Sequence, residues 1–596
     1  MLKTINNLIK SPAGLMTKLG VAALSLALIS CGGPGNSSSS SSSSSSISSS
    51  SSSSSSGSSR SSYVAAMPYD HAVKELDQKN QRIPWTTEVT GRVEITNVGN
   101  TTLADTLPPI HKFPLVVNPV NGDVVVEIFV SSEKSGNGTD GWMLELANDF
   151  NRQNIKLADG RTAKIKIRKI ASGTGYQYIA SRKHLPHAYS PSNHYWIQMA
   201  ASQGVNMSPV LDKTVGNLAG LVMKKDTAKL LEDDQGNISI SKAVDAVVQG
   251  TVVAGYTNPF ASSTGLNFLI SVLATFSNDE ANMLSPEVVS AFEGFQQNVP
   301  FVAMTTLQMR DSVVNDGSLD MFVMEYQTFK NTQALKSDYI FAPFGQPHNN
   351  PLYAVGQLST GEQEALQRFA DLASNSKYQS LASKYNFNPS IKHQPSFGMP
   401  TGSTLISAQK LWKEKKDAGR PIAAIFLADV SGSMNGGRIS NLKKALIDGS
   451  SFVSPDNSVG LVTFSDKVTL TVPIKPFKSL QKAAFVTAVD RMTSGGGTAM
   501  YDGVLVSLGL LIEEKKKNPN IKPVLLVLTD GNTSYGYKYK EVEQIVRGIG
   551  IPIYTIGFES NIAELKKLSS LVEAASINTE QDDISYKIGA LLNTQI

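Results

Sequence analysis

Residues 422–433 read IAAIFLADVSGS, in which a short apolar run is followed at once by polar residues. Similar apolar runs recur at 459–464, 524–528 and 551–556. Amphipathic helical stretches separate them, at 439–452, 480–492 and 503–514. Strands that alternate with helices predict a doubly wound, largely parallel α/β sheet, in which ligands bind after the carboxyl ends of the strands.

Oxygen-bearing side chains follow these strands where a ligand would bind. Asp429, Ser431 and Ser433 follow the first strand, and alternate spacing in an extended loop would point them the same way. Thr498 follows a glycine turn, and Asp530 ends a later strand. Such donors suit a hard cation, whereas a lone Asp-x-Ser-x-Ser would be weak evidence because Asp and Ser are ordinary turn formers. All three elements in order favour a metal site.

The five residues resemble the metal-ion-dependent adhesion site of von Willebrand factor type A domains. That site pairs Asp-x-Ser-x-Ser with a threonine and an aspartate from two other loops. The resemblance covers residues 421–596 and implies that the hydroxyls contact the metal directly, and the aspartates directly or through water. It also implies that a carboxylate of a protein partner completes the coordination. Mg²⁺ is the expected metal, with Ca²⁺ or Mn²⁺ as alternatives.

A second α/β rhythm precedes this domain. Residues 123–130 have strand length, 142–151 have helical spacing of apolar residues, and 163–170 alternate as a strand. Short pieces of residues 118–400 resemble type II periplasmic solute-binding proteins, which implies two lobes around a hinge and a ligand between them. The pieces are VEIFVSSEK at 126–134, ASGTG at 171–175, SPSN at 190–193 and YTNPFASSTG at 256–265.

Polar residues in these pieces are candidate contacts for a small solute. They are Ser131, Ser172, Gly173, Thr174, Ser192 and Asn258. The Ser-Gly-Thr-Gly turn at 172–175 could present backbone N–H groups to an anion, although such turns are common and its flanks do not match a phosphate-binding loop. The sequence leaves the identity of the solute open.

Three of the seven histidines, His184, His187 and His194, fall within eleven residues. Zinc would need a further ligand and supporting hydrogen bonds, so a polar loop over a cleft is the favoured interpretation. The sequence has no Gly-x-Ser-x-Gly elbow with plausible partners and no paired carboxylates that can be assigned to one site. We therefore expect no enzymatic activity, and a hydrolase is the least supported class.

The amino-terminal residues resemble a bacterial lipoprotein signal. A basic start leads to an apolar segment at 19–29, shorter than the roughly 20 residues that span a bilayer, and then to Cys31. This layout resembles a lipobox, which implies that Cys31 is lipidated and begins the mature protein. A buried helix with an incidental cysteine is the alternative, but it must explain why the chain's only cysteine lies there.

The remaining boundaries follow composition. Residues 32–62 are a serine-rich tether too polar to fold, and the 26 residues at 37–62 have an r.m.s. reach on the order of 25–30 Å. Residues 63–117 are a polar extension without its own core, and 401–420 are a linker helix that we expect Ser403 to cap.

Charge excludes one class of partner. Lys3, Lys10 and Lys18, all before Cys31, account for three of the four excess positive charges, so no nucleic-acid binding is expected. The sequence predicts a lipid-anchored, extracytoplasmic binding protein of a bacterial envelope that engages a protein through metal. The alternative is a transport or sensing receptor in which 118–400 captures a solute. Gly32 after the cysteine is compatible with outer-membrane sorting.

Overall fold

A computed structural model describes residues 67–88 and 102–595, with gaps at 278, 280–281, 300, 304–305, 307–308, 311–312, 314–318, 419, 532, 559–562, 571–575 and 580–583. The predicted signal segment, Cys31 and the serine tether lie outside the described residues. None of the described helices is both long enough and apolar enough to cross a membrane.

Strands are numbered in chain order. They are β1 (Trp85–Thr87), β2 (Leu115–Val117), β3 (Val124–Val130), β4 (Ala163–Lys169), β5 (Ala188–Ser190), β6 (Met207–Leu211), β7 (Ala219–Lys224), β8 (Ala254–Thr257), β9 (Phe301–Ala303), β10 (Met321–Glu325), β11 (Tyr339–Pro343), β12 (Leu352–Val355), β13 (Ile422–Asp429), β14 (Ser458–Phe464), β15 (Val468–Pro476), β16 (Lys522–Thr529), β17 (Ile553–Phe558) and β18 (Ser576–Thr579).

Helices are numbered in the same way. They are α1 (Tyr69–Asn80), α2 (Trp142–Arg152), α3 (Ser172–Ala180), α4 (Tyr195–Ser202), α5 (Lys225–Leu231), α6 (Ile240–Val248), α7 (Ser263–Phe276), α8 (Pro286–Gln296), α9 (Tyr326–Asn331), α10 (Thr360–Ala373), α11 (Ser376–Lys384), α12 (Gly402–Lys415), α13 (Gly437–Gly449), α14 (Ser479–Arg491), α15 (Met500–Lys517), α16 (Tyr539–Ile549), α17 (Ala563–Ser570) and α18 (Ile584–Gln595).

Two separate sheets form the middle of the chain. The first has the strand order β2-β4-β3-β5-β12-β6, and the second has the order β11-β7-β10-β8-β9. The chain passes from the first sheet to the second after β6 and returns before β12. At these crossings Asn217 and His348 form an antiparallel bridge, with N···O distances of 2.8 and 3.0 Å. The predicted two-lobed α/β architecture is therefore confirmed.

The C-terminal sheet has the order β1-β15-β14-β13-β16-β17-β18. Its central strands pair in parallel, and β15 runs antiparallel to β14. Alternate residues of β13 face opposite ways: Phe426 packs in the core with α13, α14 and α18, whereas Leu427 packs in the core with α1, α15 and α16. Both faces are covered, which explains why β13 reads as a continuous apolar run. The predicted doubly wound, largely parallel sheet is confirmed.

Residues 67–88 belong to this C-terminal domain. Ala72, Leu76 and Ile83 are buried in its core, and β1 extends its sheet by pairing in parallel with β15. The sequence analysis treated these residues as part of an extension without its own core, and it did not reveal where they pack. The reason is that its few apolar residues meet a surface that lies hundreds of residues later in the chain.

The linker helix predicted at 401–420 is α12, which covers Gly402–Lys415. Thr401, not Ser403, caps it, because the Thr401 hydroxyl accepts a hydrogen bond from the Thr404 N–H at 3.2 Å. The helix packs against α4 of the first lobe and against α7 and α8 of the second. Trp412 is fully buried there and donates to the Tyr256 hydroxyl at 2.6 Å. The helix thus packs against both lobes and joins them; we call this connecting role a strut.

Candidate metal site and inter-lobe cleft

Asp429 ends β13 with its carboxylate fully buried. The Ser431 N–H donates to Oδ1 at 2.8 Å, and the Thr529 hydroxyl at the end of β16 donates to Oδ2. Because β13 and β16 are parallel neighbours, their carboxyl ends meet at one edge of the sheet. Both carboxylate oxygens are therefore held in place by neighbours at that edge.

The sequence analysis expected an extended loop to point the two serines the same way. In the structure a turn brings them together instead. Gly432–Met434 form a 3₁₀ turn, which brings the hydroxyls of Ser431 and Ser433 to 3.0 Å from each other. The Ser433 hydroxyl then donates to Asp530 Oδ1 at 2.7 Å. Asp429, Ser431, Ser433 and Asp530 consequently form one hydrogen-bonded group.

Thr498 lies on a loop docked beside this group. The Gly432 N–H donates to the Gly496 carbonyl at 3.0 Å, and the Gly495 N–H donates to the Val430 carbonyl at 2.8 Å. Thr498 itself is nearly buried, and its N–H donates to the Ser534 hydroxyl at 2.9 Å. Backbone bonds thus hold the fifth predicted residue next to the other four.

Arg438, in the first turn of α13, is a member of the site that the sequence analysis missed. Its Nη1 donates to Asp530 Oδ2 at 3.0 Å and to the Ser433 carbonyl at 3.0 Å. The guanidinium thereby engages one Asp530 oxygen while Ser433 engages the other. Arg438 lies nine residues after Asp429 in the sequence. It could have been recognised as part of the site only if the start of α13 directly after the loop had been predicted.

The donor set fits a hydrated hard cation. Burial raises the pKa of Asp429, and the nearby negative charge of Asp530 adds to this effect. A bound cation would relieve both costs, and hydroxyls beside two carboxylates are oxygen ligands that Mg²⁺ accepts together with water. Ser433 is exposed, so the group is accessible from solvent.

The three histidines are held by separate partners. His184 Nε2 lies 2.9 Å from Glu127 Oε2, His187 Nε2 lies 3.4 Å from Glu362 Oε1, and the His194 ring packs edge-on against Tyr353. Within the part of the chain that the structure describes, no three His, Cys, Asp or Glu side chains come together as a metal site. The zinc alternative therefore has no geometric support.

Three candidate solute contacts meet in the first lobe. The hydroxyls of Ser131 and Ser192 both donate to Glu133 Oε1, the latter at 2.7 Å, and Ser172 Oγ lies 3.3 Å from Ser192 Oγ. Burial alone would raise the pKa of Glu133, but adjacent Lys134 and these hydroxyls outweigh it, and the pKa lies below its usual range. A carboxylate of the chain itself thus accepts the hydrogen bonds that an anionic solute would use.

The other three candidates do not point into an open space. The Gly173 N–H donates to the Ala261 carbonyl of the second lobe at 3.2 Å. Thr174 Oγ1 lies 3.0 Å from the Tyr586 hydroxyl of α18, in the C-terminal domain. Asn258 Oδ1 accepts from the Phe260 N–H at 2.8 Å, within a turn. The lobes are closed on each other at α3.

A buried charged network between the lobes was not anticipated. Lys134 Nζ donates to the Ser190 carbonyl at 2.9 Å and to Asn350 Oδ1 at 3.0 Å, and burial lowers its pKa to about 8. Glu325 Oε1 lies 2.8 Å from His348 Nδ1, and burial together with the Glu133 charge raises the Glu325 pKa. The adjacent Glu133 and Lys134 at the end of VEIFVSSEK were the feature of the sequence that could have indicated this network.

The C-terminal architecture is a doubly wound α/β domain with a group of oxygen-bearing side chains at the carboxyl edge of its sheet. Residues 425–587 match the von Willebrand factor type A domain family, so the chain carries such a domain at this end. The inter-alpha-trypsin inhibitor heavy chain H1 of Mesocricetus auratus is 27% identical in an alignment of 171 residues that covers 26% of this chain and 19% of that protein. The chain thus spans about a fifth of that relative's length.

Two solved structures are similar in part. The von Willebrand factor type A protein from Catenulispora acidiphila is 16% identical with a TM-score of 0.27, covering 30% of this chain and 42% of that one. The sulfate-binding protein SubI from Mycobacterium tuberculosis H37Rv is 15% identical with a TM-score of 0.33, covering 48% of this chain and 96% of that one.

Proposed function

We propose that the C-terminal domain binds a protein partner through a divalent cation, Mg²⁺ first and Ca²⁺ or Mn²⁺ as alternatives. The observation that carries the proposal is the convergence of three separate loops at the carboxyl edge of the sheet. The residues that would hold the cation are Asp429, Ser431, Ser433, Thr498 and Asp530. When bound, the cation supplies a positive centre that a partner carboxylate can complete.

The surrounding residues prepare this group. Thr529 and the Ser431 N–H orient the two Asp429 oxygens, and Arg438 with Ser433 orients Asp530. Because these bonds exist within the chain itself, a cation meets donors that are already ordered, which lowers the entropic cost of binding it. Exposed Ser433 leaves one side for the partner.

We place this activity at a bacterial envelope, outside the cytoplasm. The lipobox-like Cys31 and the serine-rich segment 32–62 support a lipid anchor with a flexible tether. The protein is proposed to be a binding protein rather than an enzyme, with no nucleic-acid partner.

Capture from native envelope extract tests the proposal. Immobilised protein should retain a partner in Mg²⁺ and release it on chelation, and Asp429→Ala should retain none. A matched control is Asp466→Ala, which removes an exposed carboxylate from a neighbouring loop and should retain the partner. Retention that survives both chelator and Asp429→Ala would refute metal-dependent binding.

Solute capture between the lobes is the second candidate function. Within the described part of the chain, Asn193 Oδ1 and Ser190 Oγ are buried without a hydrogen-bond partner, so this region has unused acceptors. A solute would have to displace the internal contacts of Glu133. A solute that binds here should raise the melting temperature of the whole protein, because it stabilises the folded state. If no anion, sugar, amino acid or polyamine in a broad panel raises the melting temperature, solute capture is contradicted.

A further inference from the structure

We infer that Tyr535 is a partner-contacting residue beside the metal site, and that the partner presents an acidic residue with an aromatic side chain next to it. This inference rests on the proposed function, because the acidic residue is the one that would complete the cation's coordination. The inference adds a second contact, which sets specificity without touching the cation.

The loop that carries Tyr535 is tied to Thr498. The N–H groups of Ser534 and Tyr535 both donate to the Thr498 carbonyl, at 2.9 and 3.1 Å, and the Ser534 hydroxyl accepts from the Thr498 N–H at 2.9 Å. Three hydrogen bonds, one from Tyr535 and two of Ser534, therefore fix this loop to a predicted metal-binding residue. A rigid aromatic residue loses little conformational freedom when a partner binds.

The Tyr535 ring lies directly over Gly497. A Cβ at position 497 would overlap atoms of the ring, so this position of the glycine turn has to lack a side chain. The ring thus covers the backbone immediately before Thr498. A partner group that rests on the ring is consequently a near neighbour of anything bound at the metal site.

The far side of the loop is also held. Gly536 has a φ of +67°, and a side chain there would overlap the Asp502 carboxylate, which accepts from the Tyr537 N–H at 2.8 Å. Lys79 of α1 lies over the Tyr537 ring, 4.2 Å from its centroid. Because the loop is fixed on both sides of Tyr535, the ring cannot easily fold back into the domain.

Tyr535 is 56% exposed despite this fixed position. An exposed aromatic ring on an ordered loop is typical of a residue that contributes strongly to binding, since Tyr supplies a large apolar face together with a polar tip. An aromatic partner side chain can stack on this face, which adds about threefold to tenfold in affinity.

Blocked tripeptides provide the probe. Gly-Asp-Gly, Phe-Asp-Gly and Gly-Asp-Phe are titrated by NMR into the whole protein in Mg²⁺ and again with chelator. At least one aromatic peptide should bind wild type about threefold to tenfold more tightly than Gly-Asp-Gly. Tyr535→Ala should lose this preference and Tyr535→Phe should keep it, while both variants retain the Mg²⁺-induced rise in melting temperature that reports an intact site.

Each other outcome is informative. If Gly-Asp-Gly binds only with Mg²⁺ but wild type shows no aromatic preference, or Tyr535→Ala keeps the preference, the role of Tyr535 is wrong and the proposed function stands. If no peptide binds in a metal-dependent manner, the proposed function and this inference fall together.

Discussion

Asp429→Asn separates the charge of the buried carboxylate from its hydrogen bonds. The asparagine carbonyl can still accept from the Ser431 N–H, and its amide can donate to the Thr529 hydroxyl. What disappears is a negative charge in a buried position close to Asp530. The substitution therefore tests whether this charge serves to hold a cation rather than to stabilise the fold.

Without metal we expect Asp429→Asn to be at least as stable as wild type. The raised pKa means that the folded protein binds the Asp429 proton more tightly than the unfolded chain does. Wild type therefore loses this contribution as pH rises from the ordinary value of 3.8 through the raised pKa, and the asparagine variant does not. At neutral pH the metal-free wild type carries the cost of a buried charge that the hydrogen bonds from Ser431 and Thr529 offset only in part.

With Mg²⁺ the order should reverse. A ligand at 100 times its Kd stabilises the folded state by about 2.7 kcal/mol. For a unit of 150–250 residues this raises the melting temperature by roughly 5–10 °C. Wild type should show this rise in calorimetry, with slower hydrogen exchange at residues 431–434, and Asp429→Asn should show neither.

The reasoning fails in either of two cases. Wild type might gain nothing from Mg²⁺, Mn²⁺ or Ca²⁺, or Asp429→Asn might gain as much as wild type. Asp466→Asn is the matched control, because it neutralises an exposed carboxylate nearby and should behave as wild type.

Three further outcomes follow from described contacts. Arg438→Gln should bind Mg²⁺ roughly threefold to tenfold more tightly than wild type, because it removes a positive charge beside Asp530, while Arg438→Lys should change little. Calorimetric titration with Mg²⁺ compares the three proteins. Weaker binding by Arg438→Gln would indicate that the orientation of Asp530 by Arg438 matters more than the repulsion between the guanidinium and the metal. Leu76→Ala should destabilise the C-terminal domain by about 2–5 kcal/mol in urea unfolding, since Leu76 is fully buried in its core, and a loss similar to that of the exposed Leu480→Ala would contradict this packing. Trp412→Ala should cost about 3–5 kcal/mol and speed hydrogen exchange in both lobes, whereas faster exchange in one lobe alone would contradict the role of α12 as a strut.

The sequence predicted the strands of the C-terminal sheet and the residues at their ends, because both depend on patterns within short stretches of sequence. The continuous apolar run at 422–428 predicted a strand, and Asp429, which follows this run, ends β13. Thr498 and Asp530 could be added because a doubly wound sheet brings strand ends to one edge. The 3₁₀ turn at Gly432–Met434 could not be foreseen, because its backbone conformation depends on docking against the Gly496 loop.

Long-range packing accounts for what the sequence did not reveal. Strand β1 pairs with β15, which lies almost 400 residues later in the chain. The three residues of β1 are too few to show a periodicity from which this pairing could be predicted. Glu133 and Lys134 were quoted only as part of a resemblance, yet they occupy the hydrogen bonds assigned to a solute. Tyr586 closes on Thr174 from another domain, a contact that no single-domain pattern contains.

The path of α1 has a mechanical consequence. Met67 packs against Gly548 at the end of α16, whereas Lys79 lies over Tyr537 just before α16 begins. The 11 residues of α16 separate these levels by about 16 Å. Met67 therefore lies at the pole of the domain opposite the edge that carries the candidate metal site. A pulling force between Met67 and a partner bound at the proposed metal site would run along the length of the sheet, and α1 with β1 would bear it first.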